Sequence, residues 1–159
     1  MGTVVSLCIQ PAPSIHEPPY RYNRVPVQSA NLIAGHGIEG DLKAGHNSTR
    51  QINIMSAEIM QDLGAEGYRV GPGEMGEQIV VRGIDLGDAA EGTVLRLGTA
   101  QIVLDKPRTG CEWFELIQGL PRATGKGQMG WMAHVAVSGV VRTGDPVDVV
   151  KSPVSQQDD

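Results

Sequence analysis

The sequence predicts a mostly β protein: a closed, largely antiparallel β-barrel with about two peripheral α-helices. Three observations lead there. Eight short runs are rich in β-branched and aliphatic residues, VVSLCI, VPVQSANLI, QINIM, EQIVV, TVLRL, AQIVL, AHVAV and PVDVV, and turn residues bound most of them. Only two stretches carry apolar residues at helical spacing. The 21 glycines and the single Phe point to many turns around a Val/Ile/Leu core. Closing the strands into a barrel, with the helices outside, also removes exposed strand edges.

Taken in chain order, VVSLCI places Cys8 in an apolar run as a buried strand residue. PAPSIHEPPYRYNRVP is proline-rich and reads as a loop, and its Tyr20, Arg21, Tyr22 and Arg24 could line or cover a site. Ser56 is placed to cap a first helix, which buries Ile59, Met60 and Leu63 and stops near Gly67. Leu97-Gly98-Thr99-Ala100 joins two strands, and Gly-Thr suits a two-residue type II′ hairpin turn. The second helix begins at Thr109. Thr109 and Glu112 stand three apart, as N-cap and N3 of a capping box, followed by Trp113, Phe114, Leu116 and Ile117.

The totals bound the possibilities. A chain of 159 residues with 40% hydrophobic and 19% charged residues suits one globular domain, expected over residues 1–151, with a polar, frayed tail over 152–159. A net charge of −5 argues against a general binder of nucleic acid or anionic membranes, which needs a basic surface. Two cysteines make no disulfide framework, and no apolar stretch approaches the ~20 residues of a membrane span. The N-terminus lacks a signal-peptide pattern. A reducing cytoplasm is the expected location.

Several motifs carry possible chemistry. GPGEMG, residues 71–76, matches G-x-G-x-x-G literally. A dinucleotide-binding turn must follow a strand and open a helix, whereas this one follows a helix and enters a strand, so it reads as a tight connection. The four histidines, His16, His36, His46 and His134, show no zinc spacing, and His134 reads as an ordinary strand residue. GIEGDLKAGHNSTRQ, residues 37–51, is polar and broken by glycines. It reads equally as a surface loop and as a binding loop, in which the Arg50 guanidinium would suit phosphate.

Cys111 raises the sharpest question. Starting the helix at Thr109 makes it the second helical residue, beside unpaired N–H groups and the positive end of the helix dipole. Lys106 and Arg108 stand just upstream. Such surroundings favour thiolate, while Glu112 and Glu115 pull the other way. Free cysteines are also often inert core residues.

GIEGD, RQINIMSAE, PGEMGEQIVVRGIDL, GTVLRLG, KPRTGC and GVVRTGDPV follow one another over roughly residues 30–150. This ordered set resembles the MOSC domain, found at the C-terminus of molybdenum cofactor sulfurases and as stand-alone bacterial proteins. The resemblance implies a barrel like the small domain of pyruvate kinase. It implies that Cys111 is the family's cysteine, a sulfur carrier or a ligand of molybdenum, and that Asp41, Arg50 and Arg108 fall on motif positions. Glu77-Gln78 stands where the family often has Glu-Asn. The resemblance thus implies the molybdenum cofactor (molybdopterin). Cys111 would ligate the metal, Arg50, Lys106 and Arg108 would hold the anionic pterin's phosphate with help from the helix N-terminus, and Thr109 would belong to the same cofactor-binding set. Asp41 and His46 would hydrogen-bond the pterin or handle protons. A separate electron-transfer protein would feed the reduction of N-hydroxylated substrates. The alternative is a sulfur carrier that takes a persulfide from a cysteine desulfurase on Cys111. A non-catalytic binding module, with Cys111 buried, is the third reading.

Overall fold

The computed structural model describes residues 1–46 and 48–153, so most of the expected tail lies outside the described residues. The strands are β1 (Gly2–Ile9), β2 (Val25–Pro26), β3 (Ser29–Ile33), β4 (Gly37–Ile38), β5 (Ile52–Ser56), β6 (Ile79–Arg82), β7 (Val94–Leu97), β8 (Ala100–Pro107), β9 (Trp131–Val137), β10 (Gly139–Arg142) and β11 (Pro146–Lys151). Helix α1 spans Ala57–Ala65 and α2 spans Glu112–Gln118.

Seven strands close a barrel in the order β11-β7-β8-β9-β5-β6-β1, and β1 returns to β11 through the Gly2–Val147 and Thr3–Pro146 pairs. All neighbours are antiparallel except β5 and β6, which run parallel with α1 in the connection between them. A parallel pair cannot be joined by a tight hairpin, so a crossover element is required here. β2 extends the sheet beside β1, and β10-β3-β4 form a separate three-stranded sheet. The mostly antiparallel barrel with two helices is therefore as expected. β4 and β10 are additions: Ile38 inside the polar 37–51 segment is fully buried, and Val140-Val141 pairs with Asn31-Ala30.

Strand alternation sorts side chains into two cores. Ile52, Ile54, Ile79 and Val81 point into the barrel with Leu95, Ile102 and Leu104. Met55 and Val80 point outward, where Met60, Leu63, Met75, Phe114 and Met129 cover them. Four methionines in that second core suit an irregular gap between helices and barrel wall. Burying each large aliphatic side chain contributes about 1.5–3 kcal/mol.

The local signals largely hold. Ser56 caps α1, its hydroxyl accepting from Ile59 N, and Met60 and Leu63 are buried. Leu97 pairs with Ala100 across a two-residue turn in which Gly98 has φ 56°. Thr99 has no positive φ, as type II′ requires. A Cβ at Gly98 would come within 2.5 Å of the Val140 carbonyl, so only glycine fits. Cys8 is buried, and burial, followed by the charge of Glu77, pushes its thiol up to about 11. Among the described residues, no helix is long and apolar enough to cross a membrane.

Candidate functional site

The site is built where the end of β1, the strap of residues 10–24, the loop after β4, the 71–78 turn and the end of β8 converge. Its frame is a buried polar network. Asp41 is buried, and its carboxylate accepts from Gln10 N at 2.6 Å, Lys43 N at 3.0 Å and Gln78 Nε2 at 3.2 Å. Gln78 Oε1 accepts from Asn53 N at 2.7 Å, and Asn53 Nδ2 donates to the Gly76 carbonyl at 3.0 Å. Glu77 is fully buried and accepts from Gly73 N at 2.8 Å and Met75 N at 3.1 Å. Burial pushes its carboxyl up against the pull of those two donors. Glu77-Gln78 therefore staples the GPGEMG turn to β5 and to the Asp41 loop, and that turn is a tight connection.

Cations gather on this frame. Arg24 lies 4.9 Å from the Tyr22 ring centroid. Its Nε and Nη1, and the Tyr22 hydroxyl, are buried without a hydrogen-bond partner among the described residues. Burying such donors unpaired is costly. Arg108 packs against Tyr22 over Gly76: a Cβ on Gly76 (φ 82°) would come within 2.6 Å of Arg108 Nη2 and 2.8 Å of Tyr22 Cζ. Burial lowers the pKa of both Arg24 and Arg108 from the usual arginine value. Burial, then Arg24 and Arg108, lower Lys43 to about 8. The sequence motifs do not point to Arg24 and Lys43 as cofactor ligands. Their signal is three-dimensional, because Arg24 closes a proline-rich strap and Lys43 sits in a glycine-broken loop.

Cys111 is a free, exposed cysteine. The helix begins later than its capping-box pattern suggests. Cys111 is itself the N-cap of α2, in extended conformation (φ −139°, ψ 176°), and no side-chain cap hydrogen bond forms. The preceding residues stay extended because Arg108 N donates to the Gly130 carbonyl and the Arg122 stem fills the space where a Gly110 Cβ would sit, 2.5 Å away. Arg122 donates to the Gly110 carbonyl and makes a two-pronged pair with Glu115. The cysteine lies within electrostatic reach of Arg108, Arg122 and Tyr22.

The residues that the sequence points to divide. Arg108 and Asp41 are drawn together around Lys43. Arg50 is exposed but bears electrostatically on Lys43. His46, Lys106 and Thr109 are exposed, and Thr109 lines a cleft of about 560 Å³ with Arg108, Gly110, Arg122, Met129 and Trp131. A groove of about 690 Å³ on the other side reaches Tyr22 and Arg24. The strap does cover this region: Trp113 of α2 stacks on His16 at 4.5 Å and meets Tyr20 edge-on at 5.8 Å. Away from the site, His134 Nδ1 meets Asp105 Oδ1 at 2.7 Å, a long-range contact that strand alternation does not reveal.

Fold and site together define a small seven-stranded barrel protein that displays one thiol beside a cation-rich polar end. A MOSC domain model matches residues 39–148, and the chain belongs to the MOSC domain family. The fold is similar to that of the YuaD protein from Bacillus subtilis (TM-score 0.72, 23% identity, 92% of this chain and 94% of that one). It is also similar to YiiM from Geobacillus stearothermophilus (TM-score 0.71, 19% identity, 95% and 76%) and to YiiM from Escherichia coli (TM-score 0.64, 17% identity, 94% and 70%). No curated protein sequence matches the chain.

Proposed function

We propose that this protein binds the molybdenum cofactor, with the Cys111 thiolate as the protein ligand of the metal. The observation that carries the reading is an exposed thiol that bears on Arg108, which in turn bears on Arg24, whose buried guanidinium nitrogens lack acceptors. A soft sulfur ligand suits molybdenum, and the cations suit the terminal phosphate of a pterin. Arg24, Lys43, Arg50 and Arg108 hold that phosphate, with Thr109 and Lys106 at the rim. Arg108 links the two halves, since it bears on both Tyr22 and Cys111. Asp41 sets the shape of the Lys43 loop through its three hydrogen bonds, and His46 lies exposed on the same loop. The strap, through His16 and Tyr20 packed on Trp113, shields the thiol's helix from water on one side. When bound, the group supplies oxygen-atom and electron transfer, suited to reducing N-hydroxylated substrates with electrons from a separate donor protein.

The test is to purify the full chain from cells that make the cofactor and to measure molybdenum and pterin beside Cys111→Ala. Near-stoichiometric metal and pterin in the wild type, with metal lost in the variant, supports the reading. Folded wild-type protein that carries neither contradicts it.

A second reading, sulfur carriage, is favoured by the contrast between an exposed Cys111 and a buried Cys8. The Cys111 thiolate attacks the terminal sulfur of a desulfurase persulfide. The donor's S–S bond breaks, a new S–S bond forms on Cys111, and the donor cysteine leaves as thiolate. Mass spectrometry after incubation with a desulfurase and cysteine should find one added sulfur on Cys111; equal uptake by Cys111→Ser excludes this reading.

A further inference from the structure

Lys43 stands in an unbalanced charge environment. The groups that bear on its amine are Arg24 from the end of the strap, Arg108 from the end of β8, and Asp41 and Arg50 from its own loop. Three guanidiniums thus face one carboxylate. Asp41 has little left to offer, because its oxygens already accept from Gln10 N, Lys43 N and Gln78 Nε2. Glu77, the other buried carboxylate near Arg24 and Arg108, is engaged by Gly73 N and Met75 N. Arginine does not release its proton in proteins, so relief of the excess charge falls to the lysine. The direction of its titration agrees: burial and the guanidiniums bring it down to about 8. Two buried Arg24 nitrogens without acceptors are an independent sign that the cluster lacks an anion.

We infer that an oxyanion, as a phosphate monoester or sulfate, enters this cluster together with a proton taken from solvent onto the Lys43 amine. The inference rests on reading the cluster as the cofactor's phosphate site, and it adds a regulation: the site is strong in neutral or acidic solution and weakens in alkali. Below its free value the lysine is already ammonium and the anion binds without proton uptake. Above that value the amine is neutral in the free protein, and each bound anion must bring about one proton, so affinity falls about tenfold per pH unit.

Sulfate is the probe, because it does not titrate in this range, and Cys111→Ala is the background, because a free thiol titrates near 8.5. Sulfate affinity is measured on the full chain by calorimetry from pH 7 to 10, in two buffers of different ionisation heat. Lys43 as wild type should show a flat affinity up to about pH 8, a fall of about tenfold per unit above it, and uptake of about one proton per sulfate near pH 9. Lys43→Arg should still bind, with no slope between pH 8 and 10 and no proton uptake. Lys43→Met should bind weakly at every pH. A wild-type affinity that ignores pH, or a Lys43→Arg slope equal to the wild type's, overturns the inference and leaves the phosphate-site reading standing. Failure of the wild type to bind sulfate at any pH overturns both.

Discussion

The barrel interior and the charged end are held by different forces. Inside, Ile54, Leu95, Ile102 and Leu104 are fully buried among other aliphatic side chains, and each contributes through the area it removes from water. At the end near Tyr22, the same backbone carries Asp41, Glu77 and Gln78 buried in hydrogen bonds, with Arg24 and Arg108 packed against an aromatic ring. There the burial of charge is costly and must be offset contact by contact. The first region therefore secures the fold and the second fixes the geometry of a site, so damage to each should have a separate signature.

The largest expected effect lies in the barrel. Ile54→Ala leaves a cavity between β5 and its neighbours and should cost about 2–5 kcal/mol in urea unfolding. The folded fraction should keep the wild-type rate of Cys111 alkylation; a changed rate would mean the two regions are not separable. Next comes Gly76→Ala. A positive φ for a residue with a side chain costs about 1–3 kcal/mol, and the new methyl group would press on Arg108 and Tyr22. Sulfate binding at pH 7 should be lost while Ile54 and its neighbours stay packed, as a preserved methyl NMR spectrum would report. Sulfate affinity equal to wild type would sever Arg108 from the anion site. The smallest effect is at the half-buried Glu115–Arg122 pair. Hydrogen bonds from Arg122 bring Glu115 down to about 2, so its contribution is present above the unfolded value of ≈ 4.3 and is lost as pH falls through about 2. Melting curves of wild type and Glu115→Gln should differ slightly at pH 6 and converge near pH 2. Divergence on acidification would reverse the sign.

How much of this was legible in the sequence follows the same division. Barrel strands announce themselves through runs such as QINIM and AQIVL, because alternation is a local property. The Ser56 cap and the Gly98-Thr99 turn are local too. The β10 strand was missed because GVVR is short and its partner, β3, lies over a hundred residues upstream. The start of α2 was misplaced because the capping pattern at Thr109 is overridden by distant contacts, Arg108 with Gly130 and Gly110 with Arg122. At the site, Cys111 and Arg108 were visible through their motif. Arg24 shows in the sequence only as part of a strap that could line a site and Lys43 only as part of a polar loop, since what unites them is a frame built from Gln10, Asp41 and Gln78, brought together by closure of the sheet.

The two cysteines stand in opposite surroundings, Cys8 in the barrel wall with its thiol pushed up to about 11 and Cys111 exposed at the charged end. Alkylation of the native protein at neutral pH, read by peptide mass spectrometry, tests this most directly. One label on Cys111, none on Cys8 until the chain is unfolded in urea, and none on native Cys111→Ala is the predicted result. A native protein in which Cys111 resists the reagent, or in which Cys8 is labelled first, would contradict it.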